Sequence, residues 1–252
     1  MEKMTKKQYI EKNFFKESKF NRARTAMQGF MGKLLTDNDK NPSCVIALVG
    51  RNCFIDGNGK EEYIEKILNS LDKYYKVIIA NEKYFEVIEK FYKNKIQIAS
   101  RFSTKRNTKF DDKQLRKLLN EKLDFYEVKK IDKELLEIIA KTNSYVTNIE
   151  ISENYENYGI GFCAINKNNN EIIGIATSNA VYDDGIEINL KVSEEYRRKK
   201  IATVLCSNLI LECLNRNIHP YWDAFNKNSL KLAEKLGYEL EEEYKTYKIN
   251  QE

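Results

Sequence analysis

The segment from Lys200 to Asn215 is the part of the sequence that most constrains the fold. It is predicted to form one helix whose apolar residues surround most of its circumference: Ile201, Ala202, Val204, Leu205, Leu209, Ile210, Leu211 and Leu214. A surface helix keeps one polar face, so a helix of this kind must be buried by neighbours on several sides. Cys206 and Cys213 of the same helix are interpreted as small core residues. The sequence therefore predicts a deeply packed helix.

Strand-like runs surround this helix in the second half of the chain. They are Phe125–Ile131, Tyr158–Asn166, Ile172–Val181, Ile186–Val192 and Pro220–Ala224, with another helix at Lys133–Lys141. An asparagine-rich cluster at 166–170 and the turn at 183–185 join three of these runs into an antiparallel meander. Asn226 or Asn228 is predicted to cap a helix that runs to about Leu236, with Gly237 as a typical C-terminal cap residue. A strand pair is expected between Tyr238 and Ile249.

The first half of the chain shows a different pattern. Apolar spacings predict helix over residues 1–40. The elements expected after it are a hairpin of Cys44–Val49 with Asn52–Ile55, a helix at Glu61–Leu71, a strand at Lys76–Ala80, a helix at Glu82–Tyr92, a strand at Lys95–Phe102 and a helix at Lys113–Leu123. Alternating strands and helices indicate an α/β layer. We therefore expect an N-terminal α/β domain over residues 1–122 and a second domain over residues 123–252.

Composition excludes several classes of protein. No run of about 18 apolar residues is present and the N-terminal residues lack the apolar region of a secretory signal, so a soluble, cytoplasmic protein is expected. The five cysteines form no Cys-x-x-Cys pair, and the single histidine, His219, excludes a two-histidine metal site. No metal is expected. With 43 basic and 38 acidic residues, the net charge of +5 is too small to indicate nucleic-acid binding by itself.

Four consecutive cations, Arg197 to Lys200, precede the apolar helix. A helix N-terminus carries unpaired N–H groups and a partial positive charge, so this position can hold a phosphate or pyrophosphate. On charge alone, a solvated basic turn is the more common interpretation. Nucleic-acid binding through the same cluster is a further alternative, which no recognition motif accompanies.

Two motifs resemble those of a known family. The first runs from Arg197 to Ala202 and contains Lys200. It resembles the Arg/Gln-x-x-Gly-x-Gly/Ala loop of the GCN5-related N-acetyltransferase (GNAT) superfamily, whose middle glycine Lys200 replaces. If that position requires a positive φ, lysine would weaken cofactor binding. Pro220 to Asn226, followed by Ser229 and the run Leu232-Ala233-Glu234-Lys235-Leu236-Gly237-Tyr238, resembles the subfamily of the zwittermicin A resistance acetyltransferase.

The resemblance covers about residues 125–249 and implies a fold, a cofactor and a set of binding residues. The fold class is α/β (α+β), with a C-terminal, mixed, largely antiparallel sheet flanked by helices after a smaller α/β N-terminal domain. The cofactor is acetyl-CoA, used as co-substrate. The implied cofactor-binding residues are Leu190, Lys191, Val192, Arg197, Arg198, Lys199, Lys200, Ile201, Ala202, Thr203, Asn226 and Ser229.

The resemblance also implies direct attack of an amine on the thioester. Glu187 is the candidate base, and its alternative interpretation is a surface strand residue paired with lysine. The Leu190 N–H is the candidate oxyanion donor. Ala233 stands where the wider family often has an acidic tyrosine, so Tyr221 and Tyr238 are candidates for that role by proximity.

The function implied is an N-acetyltransferase that acts on a small-molecule amine. The subfamily suggests a bacterial enzyme with an antibiotic-like or polyamine-like acceptor. The alternative is a non-catalytic acyl-CoA-binding or regulatory module, which the departures at Lys200 and Ala233 favour. No nucleic acid or membrane partner is expected, and the sequence does not determine the oligomeric state.

Overall fold

The computed structural model describes residues 10, 12–71, 74–141 and 159–250, without the side chain of residue 140. Residues 1–9 of the predicted N-terminal helix and the predicted strand start at Tyr158 fall outside these residues. The chain divides into two compact units, one formed by residues 1–103 with 241–252 and the other by residues 104–240. The two-domain boundary expected between residues 122 and 123 stays a prediction.

The helices and strands of the described residues have the following bounds. The strands are β1 (Lys33–Thr36), β2 (Cys44–Val49), β3 (Asn52–Gly57), β4 (Val77–Ala80), β5 (Ile96–Thr104), β6 (Tyr126–Lys130), β7 (Gly161–Asn166), β8 (Ile172–Tyr182), β9 (Gly185–Val192), β10 (His219–Tyr221), β11 (Asp223–Ala224) and β12 (Leu240–Ile249). The α-helices are α1 (Ala23–Gln28), α2 (Glu61–Ser70), α3 (Phe85–Tyr92), α4 (Asp112–Leu119), α5 (Lys133–Lys141), α6 (Ile201–Asn215) and α7 (Lys227–Lys235). Short 3-10 turns lie at Ser18–Phe20, Glu82–Tyr84, Lys93–Lys95 and Glu194–Tyr196.

In the first unit, strands lie in the order β1-β2-β3-β4-β12-β5. β2 and β3 form the predicted antiparallel hairpin, and β3 runs parallel to β4 with α2 between them. Every residue of β2 is buried. Helices α2 and α3 pack on the side of Ile46 and Ile55, and residues of α1 pack with Val45 and Ala47. The expected α/β layer is therefore confirmed.

Two local predictions in this unit are wrong. Residues 33–36 form β1, which pairs antiparallel with β2, although helix was predicted there. The chain leaves the helical conformation at Gly29 and Gly32, whose φ angles are 81° and 78°. The end of the chain forms the single strand β12, where a strand pair was expected, because β12 pairs with β4.

The second unit contains a sheet of strand order β10-β9-β8-β7-β6. Pairing is antiparallel from β6 to β9, as the predicted meander requires, and β10 runs parallel to β9. The register shifts in β8 between Ser178 and Ala180, which marks a bulge at residue 179. The predicted fold class, with largely antiparallel sheets flanked by helices, is confirmed.

Helices cover both faces of this sheet. Helix α6 packs closely over Gly174, where a Cβ atom would lie 3.0 Å from Ile201 Cγ2. Helix α4 packs against α6. Helix α5 places Leu136 and Ile139 against Cys163 and Ile175, on the opposite face, because side chains alternate along a strand. The predicted deep burial of α6 is confirmed.

None of the helices in the described ranges combines the length and apolar character that crossing a membrane needs.

Candidate active site

The backbone before α6 has an unusual conformation. Arg198 and Lys200 both have positive φ angles, 62° and 66°. Lys200 is the N-cap residue of α6, and no side chain caps this helix end. The first-turn N–H groups, at residues 201–203, therefore lack the intrahelical acceptor that later N–H groups have. Because successive N–H groups in such a turn converge on one point, the loop is suited to binding an anion.

Lys200 has a positive φ angle, the condition under which lysine is expected to weaken cofactor binding. The position where the resembling loops have glycine requires a positive φ, and lysine adopts it here. A left-handed conformation costs an L-residue about 1–2 kcal/mol. The loop therefore has a left-handed residue that carries a long side chain, and this side chain must be accommodated beside the loop.

Strand β9 exposes part of its main chain on the side of β10. Within the described residues, β10 pairs with β9 only at 185–187. Ser193 N–H donates to the Ile173 carbonyl (3.0 Å), and the register of β8 and β9 continues from this bonded pair. Bonded pairs alternate in antiparallel sheets, so residues 191 and 189 bond to β8. The N–H and C=O groups of Leu190 and Val192 therefore point to the edge away from β8.

Glu187 is buried, with 2% of its surface exposed. This burial excludes the alternative of a surface residue paired with lysine. Its Oε2 accepts a hydrogen bond from the Tyr182 hydroxyl (3.2 Å), which itself is buried. Val192 packs towards α6, so by alternation Glu187 lies on the other face of the sheet. The bulge at residue 179 shifts the alternation of β8, which brings Tyr182 onto this same face.

Tyr221 lies beside Glu187 in the register of β10 and β9. Its ring packs edge-on against the Tyr182 ring, with centroids 5.5 Å apart. Its hydroxyl donates to Asp184 Oδ2 (2.6 Å) in the turn between β8 and β9. Asp183 and Asp184 are both exposed. A buried carboxylate, two tyrosine rings and two exposed carboxylates thus occupy one end of the sheet.

Tyr238 and Ala233 are interior residues. The Tyr238 hydroxyl donates to the Pro220 carbonyl (2.7 Å), and burial raises its pKa well above the ordinary range. Its ring contacts Trp222 and Phe110. These contacts favour a structural role for Tyr238. Ala233 is fully buried, so no hydroxyl is supplied from that position of α7.

Asn226 and Ser229 organise the start of α7. The Asn226 side chain accepts from the Ser229 N–H (2.9 Å), which confirms Asn226 as the predicted cap. The Ser229 hydroxyl accepts from Trp222 Nε1 (3.2 Å). Trp222 is buried, and its carbonyl accepts from Thr104 Oγ1 (2.7 Å). Contact of Asn226 and Ser229 with a cofactor stays a prediction.

The cysteines provide no reactive thiol in this fold. All five are free and buried. Burial raises the pKa of Cys44 and Cys163 to about 11 and that of Cys213 to about 12, so these thiols stay protonated at neutral pH. In the described part of the chain, no three His, Cys, Asp or Glu side chains are placed to hold a metal ion.

Sequence reasoning missed two residues near the predicted site. Tyr182 reaches Glu187 because of the bulge in β8, and no sequence pattern announced that bulge. Glu121, just after α4, binds both Lys200 and Lys235. These partners are 79 and 114 residues away in sequence, so no local spacing indicates the contacts.

Comparison with known proteins agrees with this fold. The sequence profile described as GNAT acetyltransferase matches residues 12–247, and the chain belongs to this family. A GCN5-related N-acetyltransferase-like protein from Streptococcus suis is similar over 97% of this chain and 98% of its own, with 29% identity and a TM-score of 0.86. A GCN5-related N-acetyltransferase from Kribbella flavida shares the fold, with 11% identity, a TM-score of 0.59 and coverage of 92% and 96%.

A curated relative is similar over a shorter region. The uncharacterized N-acetyltransferase YdfB of Bacillus subtilis is 27% identical over 124 residues, which are 48% of this chain and 47% of that protein. The chain thus spans about half the length of this relative in the match. GNAT acetyltransferases use acetyl-CoA, and membership of the family supports an acetyl-transfer function.

Proposed function

We propose that this protein is an acetyl-CoA-dependent N-acetyltransferase that acts on an amine of a small molecule. The observation that carries the proposal is the outward main chain at Leu190 and Val192, on a strand that leads into the uncapped N-terminus of α6. An extended arm can pair with such an edge, and a pyrophosphate can bind at such a helix end.

The residues at the two features suit the two ends of the cofactor. Leu190 to Val192 would pair with the pantetheine arm. The amides of residues 198–203 would hold the pyrophosphate, and Arg197 would add positive charge at the entrance of the loop. Asn226 and Ser229 are proposed to contact the cofactor from the start of α7, while keeping their capping contacts.

Acetyl-CoA would supply the activated acetyl group and a thiol leaving group. The outward N–H of Leu190 is the proposed donor to the oxygen that becomes negative during attack, since a fixed donor stabilises such charge. Glu187 would accept the proton of the attacking amine, directly or through water. Tyr221 is kept as the candidate for the proton donor, and its hydroxyl would have to turn away from Asp184 to serve; Tyr238 is buried against the Pro220 carbonyl.

The acceptor is proposed to approach as a cation. Exposed carboxylates at Asp183 and Asp184 lie at the same end of the sheet as Glu187 and attract an ammonium group. An antibiotic-like or polyamine-like acceptor, a bacterial source and the zwittermicin A resistance subfamily are proposals that rest on the motif from Pro220 to Tyr238. A cytoplasmic location is likewise proposed.

A non-catalytic acyl-CoA-binding module is the second candidate. Two observations favour it: the left-handed Lys200 in place of glycine, and the buried Ala233 in place of the tyrosine of many relatives. Under this alternative, the loop binds the cofactor but no amine is acetylated.

Isothermal titration with acetyl-CoA tests both candidates together, because absence of binding at submillimolar cofactor contradicts each of them. Release of CoA thiol across a panel of amines then separates the two. Because the cysteines are buried, they will not react with the thiol reagent in the folded protein and will not add to the signal from CoA. Binding without CoA release for any amine would leave only the binding module.

A further inference from the structure

The four cations before α6 are exposed, and three of them have a partner that holds the side chain. Arg197 forms an ion pair with Glu194 (3.0 Å). The Lys199 ammonium lies 5.0 Å from the Tyr196 ring centroid and 5.7 Å from that of Phe125. Lys200 forms an ion pair with Glu121 (3.2 Å). These side chains are held by protein groups, so the loop offers its backbone to a ligand.

Glu121 is the centre of the most extensive of these contacts. Its two carboxylate oxygens accept from the Lys235 ammonium at 3.0 Å and 2.8 Å, and Oε2 also binds Lys200. Lys235 is the last residue of α7, and Lys200 caps α6. One carboxylate therefore joins the end of α7 to the residue that must keep a left-handed conformation.

The residues just before β6 supply partners to both consecutive lysines of the loop. Glu121 binds Lys200, and Phe125 contacts Lys199 while stacking on Tyr196 at a centroid distance of 6.2 Å. Tyr196 is fixed in turn, because its hydroxyl accepts from Asn166 Nδ2 (3.0 Å). Residues 121–125 therefore contact both lysines of the loop.

We propose that Glu121 is a positioning residue for the cofactor loop, and that it holds Lys200 in the left-handed conformation a glycine would adopt unaided. This proposal rests on the proposed binding of acetyl-CoA to the loop. The ion pair with Glu121 would keep the Lys200 side chain from folding over the first-turn amides of α6. The amides then stay accessible to the pyrophosphate although the family glycine is missing.

The direction of the change in CoA affinity distinguishes a positioning role of Glu121 from simple electrostatics. Glu121→Gln removes one negative charge near an anionic ligand, so long-range attraction alone predicts tighter binding of CoA. Loss of positioning predicts weaker binding. For an exposed ion-pair network we expect the Kd for CoA to rise roughly 3- to 5-fold, with kcat at saturating acetyl-CoA unchanged.

The experiment is a double-mutant cycle with titration of CoA as the readout. Its variants are Glu121→Gln, Lys200→Gly and the double variant, and Glu239→Gln is the charge-matched control, because that exposed glutamate pairs with Lys105. Glycine adopts a positive φ angle without support from an ion pair. Glu121→Gln is therefore expected to change the Kd for CoA less than 2-fold in the Lys200→Gly background. Lys200→Gly alone is expected to bind CoA at least as tightly as the unaltered protein.

Three results would overturn the proposal. The first is a Glu121→Gln variant that binds CoA as tightly as Glu239→Gln or more tightly. The second is an equal loss of affinity in both backgrounds. The third is weaker binding of CoA by Lys200→Gly, because this result would assign the phosphate contact to the lysine side chain. This third test can be made even if Glu121→Gln does not fold. If the unaltered protein binds no CoA, the proposed function fails first and this inference fails with it.

Discussion

The loop before α6 and the cluster around Glu187 are built in opposite ways, although Arg197 lies only 10 positions after Glu187. The loop is exposed, and its proposed ligand-binding groups are backbone amides, while its lysine side chains are held by surface ion pairs and aromatic contacts. The Glu187 cluster is buried, and its groups are side chains packed by Tyr182 and Tyr221. A site formed by backbone amides can tolerate a side-chain change such as lysine in place of glycine. A buried side-chain site depends on the identity of each member.

Replacing Glu187 tests the buried cluster most strongly. Glu187→Gln keeps the shape and removes the proton acceptor, so kcat is expected to fall about 100-fold or more, with the affinity for acetyl-CoA unchanged. Thiol release and calorimetry measure the two quantities. The control is Glu171→Gln in the exposed turn between β7 and β8, which is expected to keep full activity. Unchanged turnover and an unchanged pH–rate profile would remove Glu187 from the mechanism.

Tyr182→Phe removes only the hydroxyl that donates to Glu187. Loss of this hydrogen bond to the candidate base is expected to lower kcat roughly 10-fold, and the Kd for CoA is expected to stay constant. Tyr126→Phe is the matched control, since Tyr126 is another buried tyrosine of the second unit that packs on Phe125. Equal effects of the two variants would mean that the hydroxyl of Tyr182 has no special relation to Glu187.

Lys200→Gly tests the conformation of the loop through stability. The left-handed conformation strains lysine, and glycine removes this strain. The strain removed is expected to exceed the cost of the greater chain entropy of unfolded glycine and of the lost ion pair. The free energy of unfolding is therefore expected to increase by about 0.5 kcal/mol. Urea unfolding measures it. Lys199→Gly is the opposite-sign control, because Lys199 is not among the residues with positive φ and loses its aromatic contacts. Destabilisation by both variants would argue against strain at Lys200.

The smallest effect concerns the pH dependence of the Glu121 contacts. The hydrogen bond with Lys235 is the largest cause that holds the pKa of Glu121 below its ordinary value; burial opposes it, and the smaller effect of Lys200 adds to the lowering. A carboxylate with a lowered pKa stabilises the folded state above its unfolded pKa and loses this effect as the pH falls through its folded pKa. Glu121→Gln is therefore expected to be less stable by a few tenths of a kcal/mol at pH 7. Urea unfolding at pH 7 and pH 4 will detect the effect, and a difference that grows on acidification would contradict this assignment.

The sequence predicted the elements of the second unit well because local signals were strong there. The turns at 166–170 and 183–185 determined the meander, and the uniformly apolar α6 had to be central. Prediction failed at β1 and β12. β12 pairs with β4, which is distant in sequence, whereas β1 pairs with the neighbouring β2 after glycines that end a short helix. Helical spacing of apolar residues cannot reveal a pairing that another strand provides.

The candidate site divides in the same way. Motif spacing located the loop at 197–202, the strand at Leu190 and the cap at Asn226. It did not reveal that Glu187 is buried, because a glutamate in an alternating strand is also typical of a solvent-facing position. The contacts of Glu121 and Tyr182 needed a folded chain, since one depends on three separate elements meeting and the other on a bulge.

By itself, the sequence determined the meander, the central helix and the basic turn at its start, since periodicity and turn residues act over a few positions. The tertiary structure alone decided the positive φ at Lys200, the outward direction of the Leu190 main chain and the burial of Glu187. These depend on register, on the bulge in β8 and on groups brought together from distant positions. The same distinction separates the loop, whose chemistry is in its backbone, from the cluster, whose chemistry is in its side chains.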